Sequence, residues 1–163
     1  MQLIFVRRTT VAKPQLDFLE LSVKRIVLKL SQRGFKKSLK NKTLTLVFLD
    51  LKEAKKLNFQ FRGKNYATDV LSFSSMDPNS LGELLLCWPV LKKQAKEHGL
   101  SQKLELSYMV LHGILHLLGF DHEEDETQAQ EMFELQDEIF ADISIGYVNR
   151  SRSPLRKKKN HRA

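Results

Sequence analysis

LSYMVLHGILHLLGFDH, Leu106 to His122, is the stretch on which the reading of this chain turns. It is apolar through Leu118, as a helix packed into a core must be, and Gly119 follows where a left-handed residue ends a helix and reverses the chain. His112 and His116 are four residues apart. On a helix their imidazoles therefore project from one face, about one turn apart. The reversal at Gly119 swings His122 back toward the same point. Leu115, Leu117 and Leu118 hold the helix against the core, which gives the three imidazoles a rigid and partly dry setting.

Working outward, Ser101 is the N-cap of this helix, and a helix from Val90 to His98 precedes it, opened by Pro89 and ended at Gly99. Glu126 to Asp142 follows as a third amphipathic helix. The strands come earlier. QLIFVR, Gln2 to Arg7, reads as a short strand, and Pro14 opens a helix over Gln15 to Arg33, with Leu16, Leu19, Val23, Ile26, Val27 and Leu30 at helical spacing and Gly34 as its stop. TLTLVFL, Thr43 to Leu49, is β-branched and apolar enough for a buried strand, and Asp50 caps the helix LKEAKKLNFQF. Asp69 to Ser74 and Leu81 to Trp88 are two further strands. The turn-rich MDPNS between them predicts an antiparallel hairpin. Sheet first and helices after gives an α+β fold: a mixed four-stranded sheet covered by helices, with the site on a helix of the C-terminal half and the turn after it.

At 163 residues and 42% hydrophobic, the chain has the size of one domain. That domain is expected over residues 1–149. No apolar run approaches the roughly 20 residues of a membrane helix, and MQLIFVRRTT lacks the apolar region and cleavage site of a signal peptide. Cys87 is the sole cysteine, so no intrachain disulfide forms, as suits a reducing compartment. A cytoplasmic protein with no membrane partner is expected. The formal charge is +8, but seven of the 27 Lys and Arg lie from Arg150 onward, leaving 20 against 19 acids in the body. SRSPLRKKKNHRA is too polar to order itself, so 150–163 is read as a basic, flexible tail. Within the body Lys24 to Lys42 is basic and Glu123 to Asp142 acidic, a polarity that orients a molecule on a polyanion.

Three histidines favour zinc, one ion, although imidazole also suits nickel, copper and iron. Three protein ligands leave the fourth position open, the arrangement of catalytic zinc, where water becomes a nucleophile near neutral pH. A fourth donor from Cys87, Glu83 or Asp121 would instead make the site structural, though Asp121, next to His122, is better suited to orienting a histidine. The spacing is also that of zinc metallopeptidases, H-E-x-x-H-x-x-G-x-x-H. Gly113 stands where those enzymes keep their glutamate, which counts against peptide hydrolysis. His98 and His161 carry no such pattern.

HGILHLLGFDH, with glycine after its first histidine, resembles the signature of the YbeY family of metal-dependent endoribonucleases, the ribosomal RNA maturation factors. LNFQFRGKNYATDVLSF, Leu57 to Phe73, resembles a second block of that family, and Leu81-Gly82-Glu83 a third. The likeness spans about Leu44 to Glu138. Phe61 departs from the family's usual tyrosine, Ser74 from proline and Glu83 from aspartate. The resemblance implies a single-strand-specific, zinc-dependent endoribonuclease acting in ribosomal RNA maturation and small-subunit quality control. Its partners would be single-stranded RNA, ribosomal RNA and the small ribosomal subunit. It assigns His112, His116 and His122 as metal ligands and Arg62 as the arginine needed for cleavage. A guanidinium suits that role, because it holds two nonbridging phosphate oxygens at once. Glu83 is a candidate proton shuttle, while Thr68 and Asp69 read as architectural. Two rival readings remain: a non-catalytic ribosome-assembly factor with a structural zinc, and a metallopeptidase with a relocated base.

Overall fold

The computed structural model describes residues 1–121 and 126–152, with 150–152 as backbone alone. Strands β1 (Gln2–Arg7), β2 (Thr43–Leu49), β3 (Val70–Ser74) and β4 (Ser80–Cys87) form one sheet in the order β1-β2-β4-β3. β1 and β4 both run parallel to β2, and β3 returns antiparallel to β4, so the sheet is mixed, as expected. The hairpin between β3 and β4 is closed by Asp77, whose side chain accepts from Asn79 N and whose carbonyl accepts from Ser80 N.

β2 is covered on both faces, which is why it reads as a continuous apolar run and not an alternating one. Leu44, Leu46 and Phe48 belong to the larger core, and Val47 and Leu49 to a smaller one with Ala54 and Cys87. The helices are α1 (Lys13–Leu30), α2 (Lys36–Leu39), α3 (Leu51–Arg62), α4 (Trp88–Glu97), α5 (Gln102–Leu117) and α6 (Glu126–Arg152). α3 covers the smaller core, supplying Ala54 and Leu57. α5 is the central helix: it packs on α1, α4 and α6 as well as β3 and β4. Leu106, Val110, Leu111, Ile114 and Leu115 are all inaccessible to solvent. Each such side chain contributes about 1.5–3 kcal/mol by leaving water. A helix apolar on nearly every side is stable only in such a position.

Most boundaries shift by one or two residues from those read in the sequence, and two shift by more. α1 ends at Leu30, and a wider π turn, Ser31–Phe35, carries the chain to Gly34 at φ 100°, where it breaks as expected. α6 does not stop at Asp142 but continues to Arg152. Its apolar face persists through buried Ile139 and Ile143 to Tyr147, whose ring meets Phe18 of α1 edge-on at 5.3 Å. The acidic helix also lies against the basic block. Arg25 and Lys29 pair with Asp142, and Arg33 with Glu138, so part of the polarity seen in the sequence is neutralised inside the fold. Lys36, Lys37 and Lys40 remain exposed. The expected flexible tail lies, beyond Arg152, outside the described residues. No helix among the described residues is long and apolar enough to cross a membrane.

Candidate metal and phosphate site

α5 begins at Ser101, whose hydroxyl accepts from Leu104 N, and it ends in a reversal built on Gly119. Gly119 has φ 97°, a conformation costly for any side chain, and two hydrogen bonds close the turn: Gly119 N to His116 O at 2.9 Å and Phe120 N to Leu115 O at 3.1 Å. The Phe120 carbonyl is thereby turned back to accept from His116 Nδ1 at 2.9 Å. Phe120 is itself held by Phe35 of the π turn, with ring centroids 5.6 Å apart. The glycine therefore does more than return the chain toward His122: it aims an acceptor at a predicted ligand.

His112 is oriented from a different helix. Its Nδ1 lies 3.0 Å from Oε1 of Gln136, a fully buried residue of α6. A carbonyl oxygen only accepts, so each ring carries its proton on Nδ1 and presents an Nε2 lone pair. Those two Nε2 atoms are 3.1 Å apart. Two lone pairs aimed into one space repel each other unless a cation draws both, and neutral imidazoles oriented through Nδ1 are the donors that zinc takes. The residues present thus fit the metal that the sequence implies. The third expected ligand, His122, lies outside the described residues, and among those described no set of three His, Cys, Asp or Glu converges.

The suggested fourth donors divide clearly. Cys87 is buried in the smaller core, where burial pushes its thiol above the ordinary range. Glu83 is exposed on β4, between Gly82 and Leu84, which both face α5. Strand alternation therefore turns Glu83 to the opposite side of the sheet, and it does not line the histidine cleft. The suggested shuttle thus stands on the face of the sheet opposite the helix that carries His112 and His116. Asp121 does line the cleft.

Gly113 has a steric explanation. A Cβ there would stand 2.6 Å from Leu84 Cδ2 and 2.7 Å from Cδ1, so α5 rests directly on β4 at this point. The position faces the sheet core. A glutamate at 113 would be driven into Leu84, which is why the peptidase's base has no counterpart here.

Arg62 reaches the same cleft from α3. Asp50 caps that helix by accepting from Glu53 N, and Gly63 ends it at φ 69°. The return loop is secured by buried Asn58, whose Nδ2 donates to Tyr66 O at 2.9 Å. Arg62, in the last turn, lines a cleft of about 780 Å³ together with His112, His116 and the edge strand β3. Asp69 lines it too, but both of its carboxylate oxygens are engaged. Oδ1 accepts from Val70 N and from the Thr68 hydroxyl, and Oδ2 accepts from Gln94 Nε2 of α4. Its carbonyl also accepts from Cys87 N, so Asp69 ties the start of β3 to the end of β4, the architectural part read for it.

Two contributors escaped the sequence reading. The Phe120 carbonyl is backbone and has no residue signature. Gln136 did leave a trace: it stands between Met132 and Ile139 on the buried face of α6, and a polar side chain at such a position requires a partner.

The family model described as Endoribonuclease YbeY matches residues 9–144. A relative in Bdellovibrio bacteriovorus, named Endoribonuclease YbeY, is 53% identical over 86% of this chain and 93% of its own length. Another of the same name in Persephonella marina is 44% identical over 63% of this chain and 71% of its own. A solution structure of a Thermotoga maritima protein superimposes with a TM-score of 0.64 at 29% identity, covering 97% of this chain and all of that one. Because the match spans β2, β3, β4, α3 and α5, among which the cleft lies, the chain belongs to the YbeY family of endoribonucleases.

Proposed function

We propose that this protein hydrolyses phosphodiester bonds of single-stranded RNA, using one zinc ion held by His112, His116 and His122, and that it acts in the cytoplasm on ribosomal RNA of the small subunit. The endoribonuclease class is supported by family membership. The observation that carries the chemistry is that Arg62 and the two Nε2-presenting histidines, from helices on opposite faces of the sheet, line one cleft.

Arg62 binds the phosphate. Its guanidinium donates to two nonbridging oxygens, holding the phosphorus in place and neutralising the charge that grows on those oxygens as the bond to the attacking oxygen forms. His112 and His116 keep their Nε2 atoms directed into the cleft because Gln136 and the Phe120 carbonyl occupy their Nδ1 protons. When bound, zinc supplies a Lewis acid for the phosphate and lowers the pKa of a water molecule. The peptidase reading loses ground, because the position that would hold its glutamate faces Leu84. Contact with an RNA strand is favoured by exposed Lys36, Lys37 and Lys40, which leave a basic surface on α2 and the turn after it.

The test pairs metal analysis with cleavage. The purified full chain should contain zinc and cut a defined single-stranded RNA, and His116→Ala should lose both. Unchanged cleavage by His116→Ala would overturn the hydrolytic reading. A coordination sphere completed by Asp121 as a fourth protein donor, with no cleavage, would make the zinc structural and the protein an assembly factor.

A further inference from the structure

Phe61 precedes Arg62 on the last turn of α3, and although it is a large aromatic residue its side chain is 55% exposed. Its ring stands edge-on to Phe73 of β3, with centroids 4.9 Å apart. Both rings line the cleft that holds Arg62, His112 and His116. Phe59, two residues earlier, is 60% exposed but does not line the cleft. An exposed ring steadied by a partner and set beside a phosphate-binding arginine has the features of a stacking platform for a nucleobase, because every base offers a π face.

We infer that Phe61, backed by Phe73, stacks a base of the RNA next to the phosphate held by Arg62, and thereby selects unpaired over paired strands. The inference rests on the ribonuclease reading above and adds a subsite to it. Its logic is geometric. A base in a duplex has its faces covered by its neighbours, so it reaches a ring only after being unstacked, whereas a single strand presents it at little cost. Contacts to phosphate alone do not distinguish the two forms in this way. The edge-on contact with Phe73 holds the Phe61 ring in place, which limits the order lost when a base settles on it.

The experiment measures, by stopped-flow anisotropy in the interval before cleavage, binding of a fluorescently labelled single-stranded oligoribonucleotide to the zinc-loaded full chain. A second oligonucleotide of the same length carries abasic positions. Phe61→Ala should bind the base-bearing strand about ten-fold more weakly, the effect of removing one stacking ring, yet bind the abasic strand as the unaltered protein does. Phe61→Tyr should restore the affinity, and Phe59→Ala should leave it unchanged. Circular dichroism of each variant checks the fold. Equal affinity of Phe61→Ala and the unaltered protein for the base-bearing strand would overturn the inference, as would an equal loss on both strands. If the unaltered chain binds the strand through Phe61 but never cuts RNA when zinc is present, the hydrolytic reading fails and the stacking subsite stands. If it binds no single-stranded RNA, both fail.

Discussion

His112 and His116 face each other through their Nε2 atoms at 3.1 Å, with both Nδ1 atoms turned outward to oxygen. The outer contacts create the inner one, because an Nδ1 committed to an acceptor leaves Nε2 as the lone-pair nitrogen. Gln136 therefore orients one of the two histidines proposed to hold zinc, although it would touch no metal itself. Gln136→Leu keeps the volume and removes the acceptor, so His112 becomes free to change tautomer. Zinc affinity should fall roughly 10–100-fold, the usual cost of losing such an orienting partner. Competition against a chromophoric chelator measures it, and an unchanged affinity would show that His112 needs no orienting partner.

Gly113 and Leu84 make a prediction about stability in which two effects oppose each other. Alanine in place of a mid-helix glycine gains up to about 1 kcal/mol of helix propensity. Against that, the new methyl would lie 2.6 Å from Leu84 Cδ2 in a fully buried environment. Overpacking of this kind costs about 1–3 kcal/mol, so Gly113→Ala should be destabilising on balance. Leu84→Ala alone should cost about 2–5 kcal/mol. The double variant should cost less than the sum, because each change relieves the other. Urea denaturation of the four proteins closes the cycle, and simple additivity would show that α5 does not rest on β4 through this pair.

The elements and the histidine helix were legible because each rests on a local cause. Asp50 and Ser101 are cap residues by type and accept the expected backbone donors, while Gly119 ends α5 with positive φ. β1 and β2 keep the limits read for them. What stayed hidden depends on which face meets which neighbour. Alternation along β4 separates Glu83 from Leu84, but it cannot say that α5 covers the Leu84 side, and that fact sets Glu83 on the face of the sheet opposite the histidine helix. In the same way, the length of α6 depends on a partner in another element, because Tyr147 packs on Phe18 of α1. Arg62 was singled out by resemblance. Its convergence with the histidines comes from the strand order, which makes β3 the edge between α3 and α5.

His98 and Glu105 predict a pH dependence away from the cleft. His98 Nδ1 lies 2.9 Å from Oε2 of Glu105, a carboxylate with no solvent exposure, while the imidazole is about half exposed. The hydrogen bond and charge of Glu105 raise the His98 pKa above 6.5, with Glu97 adding to the effect. A histidine whose pKa is raised on folding contributes its full stabilisation below the unfolded value, and this is lost as pH rises through the folded value. The urea midpoint should therefore fall from slightly acidic to mildly alkaline pH. His98→Asn should be less stable at the acidic end and show a flatter profile. Parallel profiles for the two proteins would mean that the pair does not titrate with folding.

Arg62 supplies the sharpest separation of chemistry from structure. It lies exposed on the last turn of α3, so its replacement should leave melting temperature and zinc content unchanged. Lysine keeps the charge but not the two parallel donors, and a compact ammonium cannot bridge two nonbridging oxygens as a planar fork does. Arg62→Ala should lower the rate of RNA cleavage by about 10²–10³, the typical loss when a preorganised donor to a developing oxyanion is removed. Arg62→Lys should recover only part of it. The loss should appear mainly in kcat, because the interaction strengthens as charge accumulates on the phosphate, whereas a residue that merely held the strand would raise KM. Single-turnover cleavage across a range of RNA concentrations distinguishes the two. A lysine variant as fast as the unaltered protein would reduce the role of Arg62 to that of a point charge.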